Sequence, residues 1–485
     1  MFKLRKGGSL KPLFFITNYI LIYIGLLLCS FLAWNYFGLL FVLFMVMIWK
    51  IIFDSNKENF FKSVANFFFL LILWHFGALF WMFGVDKGLY GILSNLLMYL
   101  LPFIIFLVIK IKYKIASFVF IPIWLLFEYA INTLSFTFPW LSLGNLFSNQ
   151  TYLIQWYEIT GILGGSFWVM VLSYILYKLI YSKSKKRLLC FLLFLIFPIL
   201  FSSSINHYRK QNFADKGHIN IVTYNNKYNS TIWEKDKLAY HILKKVDSSK
   251  KYESLIIPEQ TIRGFDGRKI KKSLTYHYFN EYLKKSIVKH IFIGTTGYRN
   301  KDTLVNSTIV ISNKGYYKKV KKKLVPFTEY LPPVFYPFFK KKFYRGDVLD
   351  DLSAITKNIN VQPLICYESI YPFFVTKNMG KANQIYITSS EKFMNENPFA
   401  LMQYDNIVRL RAIENRAPLI KASNYGWSLY IDPFGKIIER KNDEINIFTP
   451  SKYSESYTFY KSRGVYLTLP FLLLFFIISL IKLRT

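Results

Sequence analysis

The chain is poor in cysteine, with three in 485 residues. Cys29 and Cys190 lie inside apolar segments of membrane length and read as small hydrophobes. Cys366 alone lies outside such a segment. It has no disulfide partner within its own domain, so the usual structural reason for a secreted cysteine is missing. It is then a buried inert thiol, half of an intermolecular disulfide, or a nucleophile. Histidine is scarce as well, and its six copies show no ligand spacing, so neither a metal site nor a cofactor is expected. Acidic side chains are the third shortage: 28 Asp and Glu stand against 62 Lys and Arg, a net charge of +34. Such an excess suits nucleic acid or an anionic membrane surface. Lysine is scattered everywhere beside Ile, Asn, Phe and Tyr, and neither zinc-finger spacing nor an RNA-binding aromatic signature accompanies it. Nucleic acid is therefore set aside in favour of lipid headgroups.

What the chain has in abundance is apolar sequence: 53% of its residues are hydrophobic and 19% aromatic. That is too apolar for one soluble domain and, with 19% charged residues, too charged for a chain wholly in the membrane. Stretches long enough to cross a bilayer occur at roughly 13–34, 36–53, 64–84, 89–110, 115–136, 156–180, 188–205 and 464–482. The first is too long for a secretory signal, lacks a small-residue cleavage site and is followed at once by another span. Lys3, Arg5, Lys6 and Lys11, then Lys50, Lys57 and Lys62, Lys110, Lys112 and Lys114, Lys183, Lys185, Lys186 and Arg187, and finally Lys482 and Arg484 all fall on one side if the eight spans are real. Positive charge marks the cytoplasmic side, so both termini are expected there. The expected organisation is a membrane domain of about seven helices over 1–205, an extracytoplasmic domain over 206–462 and a C-terminal span over 463–485.

The extracytoplasmic segment is long enough for a single domain with its own core. Short β-branched runs recur at 219–223, 254–257, 290–294, 307–311, 361–365, 384–388, 418–422 and 427–431, several of them apolar throughout, as strands covered on both faces are. Helical stretches at 231–246, 271–286 and 401–414 lie between some of them. The expected fold is a multi-pass α-helical membrane domain joined to an extracytoplasmic α/β sandwich layered helix–sheet–sheet–helix.

Three strand ends carry polar groups. Glu259 follows Ile256-Ile257-Pro258, Lys321 to Lys323 precede an apolar turn that ends at Glu329, and Cys366 closes Leu364-Ile365. Loops at strand ends are where catalytic groups collect, and charge there is costly unless paired. A carboxylate can take a thiol proton, an ammonium can lower the thiolate pKa and stabilise an oxyanion, and a thiolate can attack a carbonyl. Taken singly, Glu259 reads as a solvated loop residue and the lysine run as a wet surface.

In this order the three motifs resemble the nitrilase, or carbon–nitrogen hydrolase, superfamily, and the whole chain is similar to its membrane-anchored branch, the apolipoprotein N-acyltransferase family. The resemblance rests on Lys321-x-Lys323-Leu324-Val325-Pro326-Phe327-Thr328-Glu329, on Cys366-Tyr367-Glu368, on the stretch from Arg409 to Arg416, and on Ala422-Ser423-Asn424-Tyr425-Gly426. In the membrane half it rests on Phe138-Pro139-Trp140-Leu141 and Gly161-Ile162-Leu163-Gly164-Gly165. It implies a nitrilase-like catalytic domain with Glu259 as general base, Lys321 as transition-state stabiliser and Cys366 as the nucleophile that carries an acyl chain as a thioester. It further implies Glu329, Tyr367 and Glu368 as supporting residues and Trp233 as a lining of the acyl site. The partners it implies are a membrane phospholipid donor, a diacylglyceryl lipoprotein acceptor and the bilayer of a bacterial inner membrane, with the catalytic domain periplasmic. Two positions depart from the family's pattern: Ser389-Ser390-Glu391-Lys392-Phe393-Met394 stands where Asn-Asp-x-Trp is usual, and Tyr224 where a Gln often ends the first strand. Two readings compete, a tethered amidase acting on small soluble amides and a non-catalytic lipoprotein-binding protein.

Overall fold

The computed structural model describes residues 11–212, 215–225, 234–246, 251–265, 270–298, 304–330, 359–453 and 457–481. The membrane half is built from α1 (Lys11–Asn35), α2 (Phe41–Asp54), α3 (Phe60–Leu79), α4 (Gly88–Tyr113), α5 (Phe120–Thr133), the single turn α6 (Tyr157–Thr160), α7 (Ile162–Tyr181) and α8 (Lys185–Asn212). Among the described residues, five helical stretches are long and apolar enough to cross a membrane: 60–84, 88–113, 162–181, 185–211 and 460–481. Helices α2 and α5 have 14 residues each, about 21 Å at 1.5 Å per residue, which is short of the roughly 30 Å hydrocarbon core. A tighter turn precedes each, Gly38–Leu40 and Ser117–Val119, and brings both to the lower end of spanning length.

The expected span at 156–180 begins only at Ile162. Gly161 has φ +62°, and a Cβ there would lie 2.5 Å from the Tyr460 ring, so the chain breaks at this glycine. The residues before it form a cap of short helical turns, Pro139–Leu141, Leu143–Phe147 and Thr151–Leu153. Glu128 of α5 organises that cap. Its carboxylate accepts from Trp124 Nε1 (2.9 Å), Leu143 N (2.9 Å) and Ser166 Oγ (2.5 Å). Helix α8 continues past 205 to Asn212 and leads into the other half.

That half contains β1 (Asp215–His218), β2 (Ile221–Tyr224), α9 (Lys235–Lys245), β3 (Ser254–Arg263), α10 (Leu274–Lys285), β4 (His290–Tyr298), β5 (Leu304–Ser312), β6 (Gly315–Val320) and β7 (Val361–Ile365). There follow α11 (Pro372–Asn378), β8 (Gln384–Ser390), α12 (Pro398–Asn415), β9 (Leu419–Asn424), β10 (Ser428–Ile431), β11 (Ile437–Lys441), β12 (Ile445–Phe448) and β13 (Ser451–Tyr453). The chain then returns to the apolar helix α13 (Val465–Ile481).

One sheet has the order β12-β2-β3-β4-β5-β6 and the other β11-β10-β9-β8-β7, and β1 pairs with β13. The central strands β2-β3-β4 and β7-β8-β9 run parallel, and antiparallel strands flank them. Ile256, Phe292 and Val310 of the first sheet meet Val361, Tyr386 and Ile420 of the second in a dry interlayer. Leu238, Ile242 and Phe279 of α9 and α10 cover the outer face of the first sheet. Leu364, Ile385 and Ile387 of the second pack with Tyr404, Ile407 and Val408 of α12, in a core that continues into the membrane helices. The expected helix–sheet–sheet–helix layering is this arrangement. Strands β6 and β11 escape the sequence reading because they are half-buried edges (Gly315-Tyr316-Tyr317-Lys318-Lys319-Val320 and Ile437-Ile438-Glu439-Arg440-Lys441) without an apolar run.

The two halves are bolted together by polar side chains in a dry junction. Gln403 of α12 accepts from Trp81 Nε1 (3.1 Å) and Trp140 Nε1 (2.9 Å) and donates to Asn35 Oδ1 (2.9 Å) and Ala78 O (3.0 Å). A buried donor without a partner costs about 1–3 kcal/mol. Gln403→Leu orphans two indole N–H groups, so it is expected to cost about 2–6 kcal/mol and to lower the unfolding midpoint of the purified chain in detergent.

Candidate active site

Glu259, Lys321 and Glu329 converge although they come from separate segments of the chain. Lys321 Nζ donates to Glu259 Oε1 (2.8 Å) and Glu329 Oε1 (2.9 Å), and all three side chains are buried. The lysine run, which taken singly reads as a wet surface, exposes only Lys322. Lys319, Lys321 and Lys323 alternate inward along the end of β6 and its continuation, while Lys322 points out.

Glu259 reaches the site because β3 breaks register beside it. Ile257 pairs with Ile293, and the next pairing is Ile262 with Thr295, so 258–261 bulge opposite Gly294. A Cβ on Gly294 would lie 2.1 Å from Pro258 O and 2.5 Å from Glu259 Cα, so only glycine admits the bulge. Asn306 Nδ2 donates to Glu259 Oε1 (2.5 Å) and Glu329 Oε1 (3.1 Å). Asn424 Nδ2, from the other sheet, donates to Glu259 O (3.2 Å) and Thr261 Oγ1 (2.9 Å) and pins the bulge.

Cys366 closes β7 with φ +45°, the left-handed backbone that a non-glycine residue holds only when its surroundings impose it. Its carbonyl accepts from Ser369 Oγ (2.7 Å) and Tyr404 OH (3.0 Å). Tyr404 OH also lies 3.3 Å from Ser389 Oγ, which donates to Glu391 Oε1 (3.0 Å). Glu391 in turn accepts from Lys421 Nζ (2.8 Å) and from Ser423 Oγ, and Lys421 donates to Asp405 as well (2.5 Å). The departure at Ser389–Glu391 is thus filled by a buried, charge-compensated network that ends on the backbone of Cys366. Its members Ser369, Tyr404 and Lys421, like Asn306, were not singled out from the sequence, and Ser389 and Glu391 stood out only within the segment that departs from the family's pattern. An Asn and a Lys inside otherwise apolar strands were the available signals.

Electrostatics sets these groups in distinct states. Burial raises the Glu259 carboxyl, Lys321 opposes that rise, and the negative Glu329 adds to it. Burial works against the ammonium of Lys321, but Glu259 and Glu329 outweigh it and hold the group well above the usual lysine range. Burial, then the charge of Glu259, pushes the Cys366 thiol up, with Lys321 acting the other way. These directions favour the neutral thiol and the ammonium, and they raise the basicity of Glu259.

The supporting residues divide. Glu368 accepts from Ile365 N (2.9 Å), Lys322 N (2.8 Å) and Lys319 Nζ. It ties the strand end that bears Lys321 to the one that bears Cys366. Tyr367 OH donates to Thr137 O (2.9 Å), as does Tyr371 OH (2.6 Å), so the turn after Cys366 is docked on the membrane half. Lys323 is a bolt: Nζ donates to Thr133 O (2.7 Å) at the end of α5 and to Ser135 Oγ (3.1 Å). Phe138 stacks on Trp140 (5.5 Å between centroids) and Tyr367 (6.4 Å). Trp233 lies outside the described residues.

Beside these groups is a cavity of about 230 Å³, walled by Trp81, Met82, Phe136 and Phe138 of the membrane half and by Val325, Phe327 and Phe393 of the other. Val325 N donates to Glu329 Oε2 (3.0 Å), so the loop that holds Glu329 is also a wall of the cavity.

The family model described as carbon–nitrogen hydrolase matches residues 283–448, and that of the apolipoprotein N-acyltransferase N-terminal domain matches 25–175. An apolipoprotein N-acyltransferase of Rickettsia typhi is 27% identical over 401 residues, which cover 76% of this chain and 77% of that protein. Apolipoprotein N-acyltransferase 2 of Treponema denticola is 26% identical over 431 residues, 79% of this chain and 80% of that protein. The chain belongs to the apolipoprotein N-acyltransferase family. Among solved structures, a carbon–nitrogen hydrolase of Helicobacter pylori is 17% identical and covers 53% of this chain and 94% of that chain, with a TM-score of 0.33. As a member of the apolipoprotein N-acyltransferase family with long apolar helices, the chain is a bacterial membrane protein, and its nitrilase-like half makes it an enzyme.

Two outcomes follow from this geometry. Tyr404→Phe removes one of two hydrogen bonds that hold the strained Cys366 backbone. At about 1 kcal/mol per bond, N-acyltransferase turnover is expected to slow by about 5- to 10-fold, with substrate binding unchanged. A Glu259 carboxyl that served as a base would lose activity as pH falls through its raised pKa. Glu329→Gln removes a charge that raises that pKa, and the acid limb of the pH–rate profile is expected to move to lower pH.

Proposed function

We propose that this chain transfers an acyl chain from a membrane phospholipid, through a thioester on Cys366, to the α-amino group of the N-terminal S-diacylglyceryl-cysteine of lipoproteins. Glu259 takes the thiol proton as sulfur attacks the ester carbonyl, and Lys321 stabilises the oxyanion. The tetrahedral adduct then collapses, and the lysophospholipid alkoxide leaves with the proton from Glu259. In the second half the lipoprotein amine attacks the thioester. Glu259 accepts its proton and returns it to the departing thiolate, which leaves an amide and free Cys366. Glu329 holds Lys321 in place, Glu368 and Tyr367 hold the nucleophile's turn, and Trp233 contributes to the acyl site.

The observation that carries this reading is the shared wall: the loop that places Glu329 on Lys321 also lines an apolar cavity completed by the membrane half. A small polar amide has no use for such a wall, whereas an acyl chain does. Both proposed substrates carry acyl chains, and drawing one from the bilayer costs about 0.8 kcal/mol per CH₂. A site built against the membrane avoids that cost.

In this reading the catalytic segment, 206–462, lies on the periplasmic side of the inner membrane between a membrane domain over 1–205 and the C-terminal span over 463–485. The Lys and Arg clusters of the short loops keep both termini cytoplasmic. Incubation with phospholipid labelled in its acyl chain is expected to add one acyl mass to the intact protein, on Cys366 by peptide mapping, and Cys366→Ala is expected to abolish the adduct. Turnover of small soluble amides without an acyl-enzyme would overturn the proposal.

A further inference from the structure

Helix α8 spans 28 residues, and only 6% of its most apolar window is buried, against 56% for α7. Along its apolar stretch two hydrogen-bonded pins hold it to the bundle. Pro198 lacks an N–H, which frees the carbonyl of Phe194 four residues earlier. Trp168 Nε1 of α7 donates to that carbonyl at 2.7 Å. Eight residues further on, about 12 Å along the axis, Ser202 Oγ donates to Tyr152 O (2.6 Å) and accepts from Gln155 N (2.8 Å). Between the pins the helices do not close. A groove of about 530 Å³ remains, walled by Trp156, Gly164 and Phe167 on one side and Phe194, Phe197 and Phe201 on the other, with almost no polar surface.

The groove points toward charge. One to two turns beyond Phe201 the same face of α8 carries Ser204, Ile205, Tyr208 and Arg209, which with Glu158 line an open cleft of about 440 Å³. Arg209 donates through Nε (3.1 Å) and Nη2 (2.9 Å) to Glu158, and Arg416 Nε donates to the same carboxylate at 2.5 Å. The Arg209 side chain is 24% exposed. Lys210 stands alongside, 5.6 Å over the Phe434 ring on which Arg416 also lies. Asp432 acts on both Arg416 and Lys210. Arg416 is fully buried and holds Glu158 from within, so the cations that reach the surface at this end of α8 are the partly exposed Arg209 and the exposed Lys210.

From this juxtaposition we infer that the α7–α8 groove and the Arg209 cleft form one binding site for an anionic phospholipid, separate from the Cys366 centre. One acyl chain lies in the groove, and the phosphate sits at Arg209 and Lys210. The span from Phe194 to Arg209 is about 22 Å of helix, the depth of one leaflet with its headgroup. A chain bound there fills the gap that the two pins hold open and couples α8 to α7. Helix α8 is also the covalent path into β1, so the lipid braces the junction of the two halves.

Native mass spectrometry of the full chain in detergent, titrated with phosphatidylglycerol or phosphatidylcholine, tests this. One phosphatidylglycerol is expected to be retained under activation that strips the other lipids, with a preference over phosphatidylcholine of about tenfold. Arg209→Gln/Lys210→Gln is expected to abolish the preference. Phe197→Ala, at a position 65% exposed, is expected to weaken retention of both lipids, and it keeps the test available if the double variant does not fold. None of these residues touches Cys366, so acyl-enzyme formation at saturating donor serves as the folding control. Retention of phosphatidylglycerol unchanged in a folded variant, or equal retention of the two lipids by the unaltered chain, would overturn the inference.

Discussion

One buried ammonium between two carboxylates governs the architecture around the site. Lys321 is 1% exposed and Glu259 3%, and isolated charges at such depth are not tolerated. Removal of one partner from a buried pair costs about 3–5 kcal/mol, because it strands the other charge. The trio therefore dictates that the bulge of β3, the end of β6 and the loop to Glu329 arrive at one point. Asn306 caps the remaining lone pairs, and Glu368 fixes the neighbouring strand end that bears Cys366. The same compensation that makes the cluster tolerable also prepares it for chemistry. The Glu259 carboxyl is more basic than a free carboxylate, and the same surroundings favour the ammonium of Lys321 and the neutral thiol of Cys366.

The second constraint is the union of the halves. Gln403, Lys323, Tyr367 and Tyr371 all cross the junction with hydrogen bonds in a dry setting, and Phe138, Trp140 and Tyr404 stack through it. Polar groups buried this way specify a single docking geometry, since any slippage leaves donors unpaired. The consequence is positional: the turn that carries Cys366 rests directly on the loop after α5. Site and membrane half are in direct contact at this point, and the apolar cavity beside Glu329 takes its walls from both.

Much of this was legible in the chain. Apolar runs marked the helices, and β-branched runs marked the buried parallel strands, because a strand covered on both faces must be apolar throughout. Edge strands β6 and β11 were not legible, since half-buried alternation with Lys and Tyr imitates a solvated loop. Glu259, Lys321 and Cys366 were legible as strand-end groups. Tyr404, Ser389, Glu391 and Lys421 were not: they belong to one network spread over β8, α12 and β9, and no local pattern announces a contact between residues so far apart. The lysine run near 321 misled when read alone, because period-two burial is invisible in a uniform stretch of one residue type.

The sequence by itself determined the division into a membrane half and a layered α/β half, the order of the elements and the chemical kinds of group available, because hydropathy period and strand-end polarity are local properties. Only the tertiary structure decided that Lys319, Lys321 and Lys323 are all enclosed, that Glu259 reaches Lys321 through a bulge admitted by Gly294, that Cys366 is held in a left-handed turn, and that α8 stands off α7 between two pins. Each of these depends on distances between segments remote in the chain. Such distances are set by the requirement that buried charges and backbone groups find partners, a condition that holds only for the whole fold.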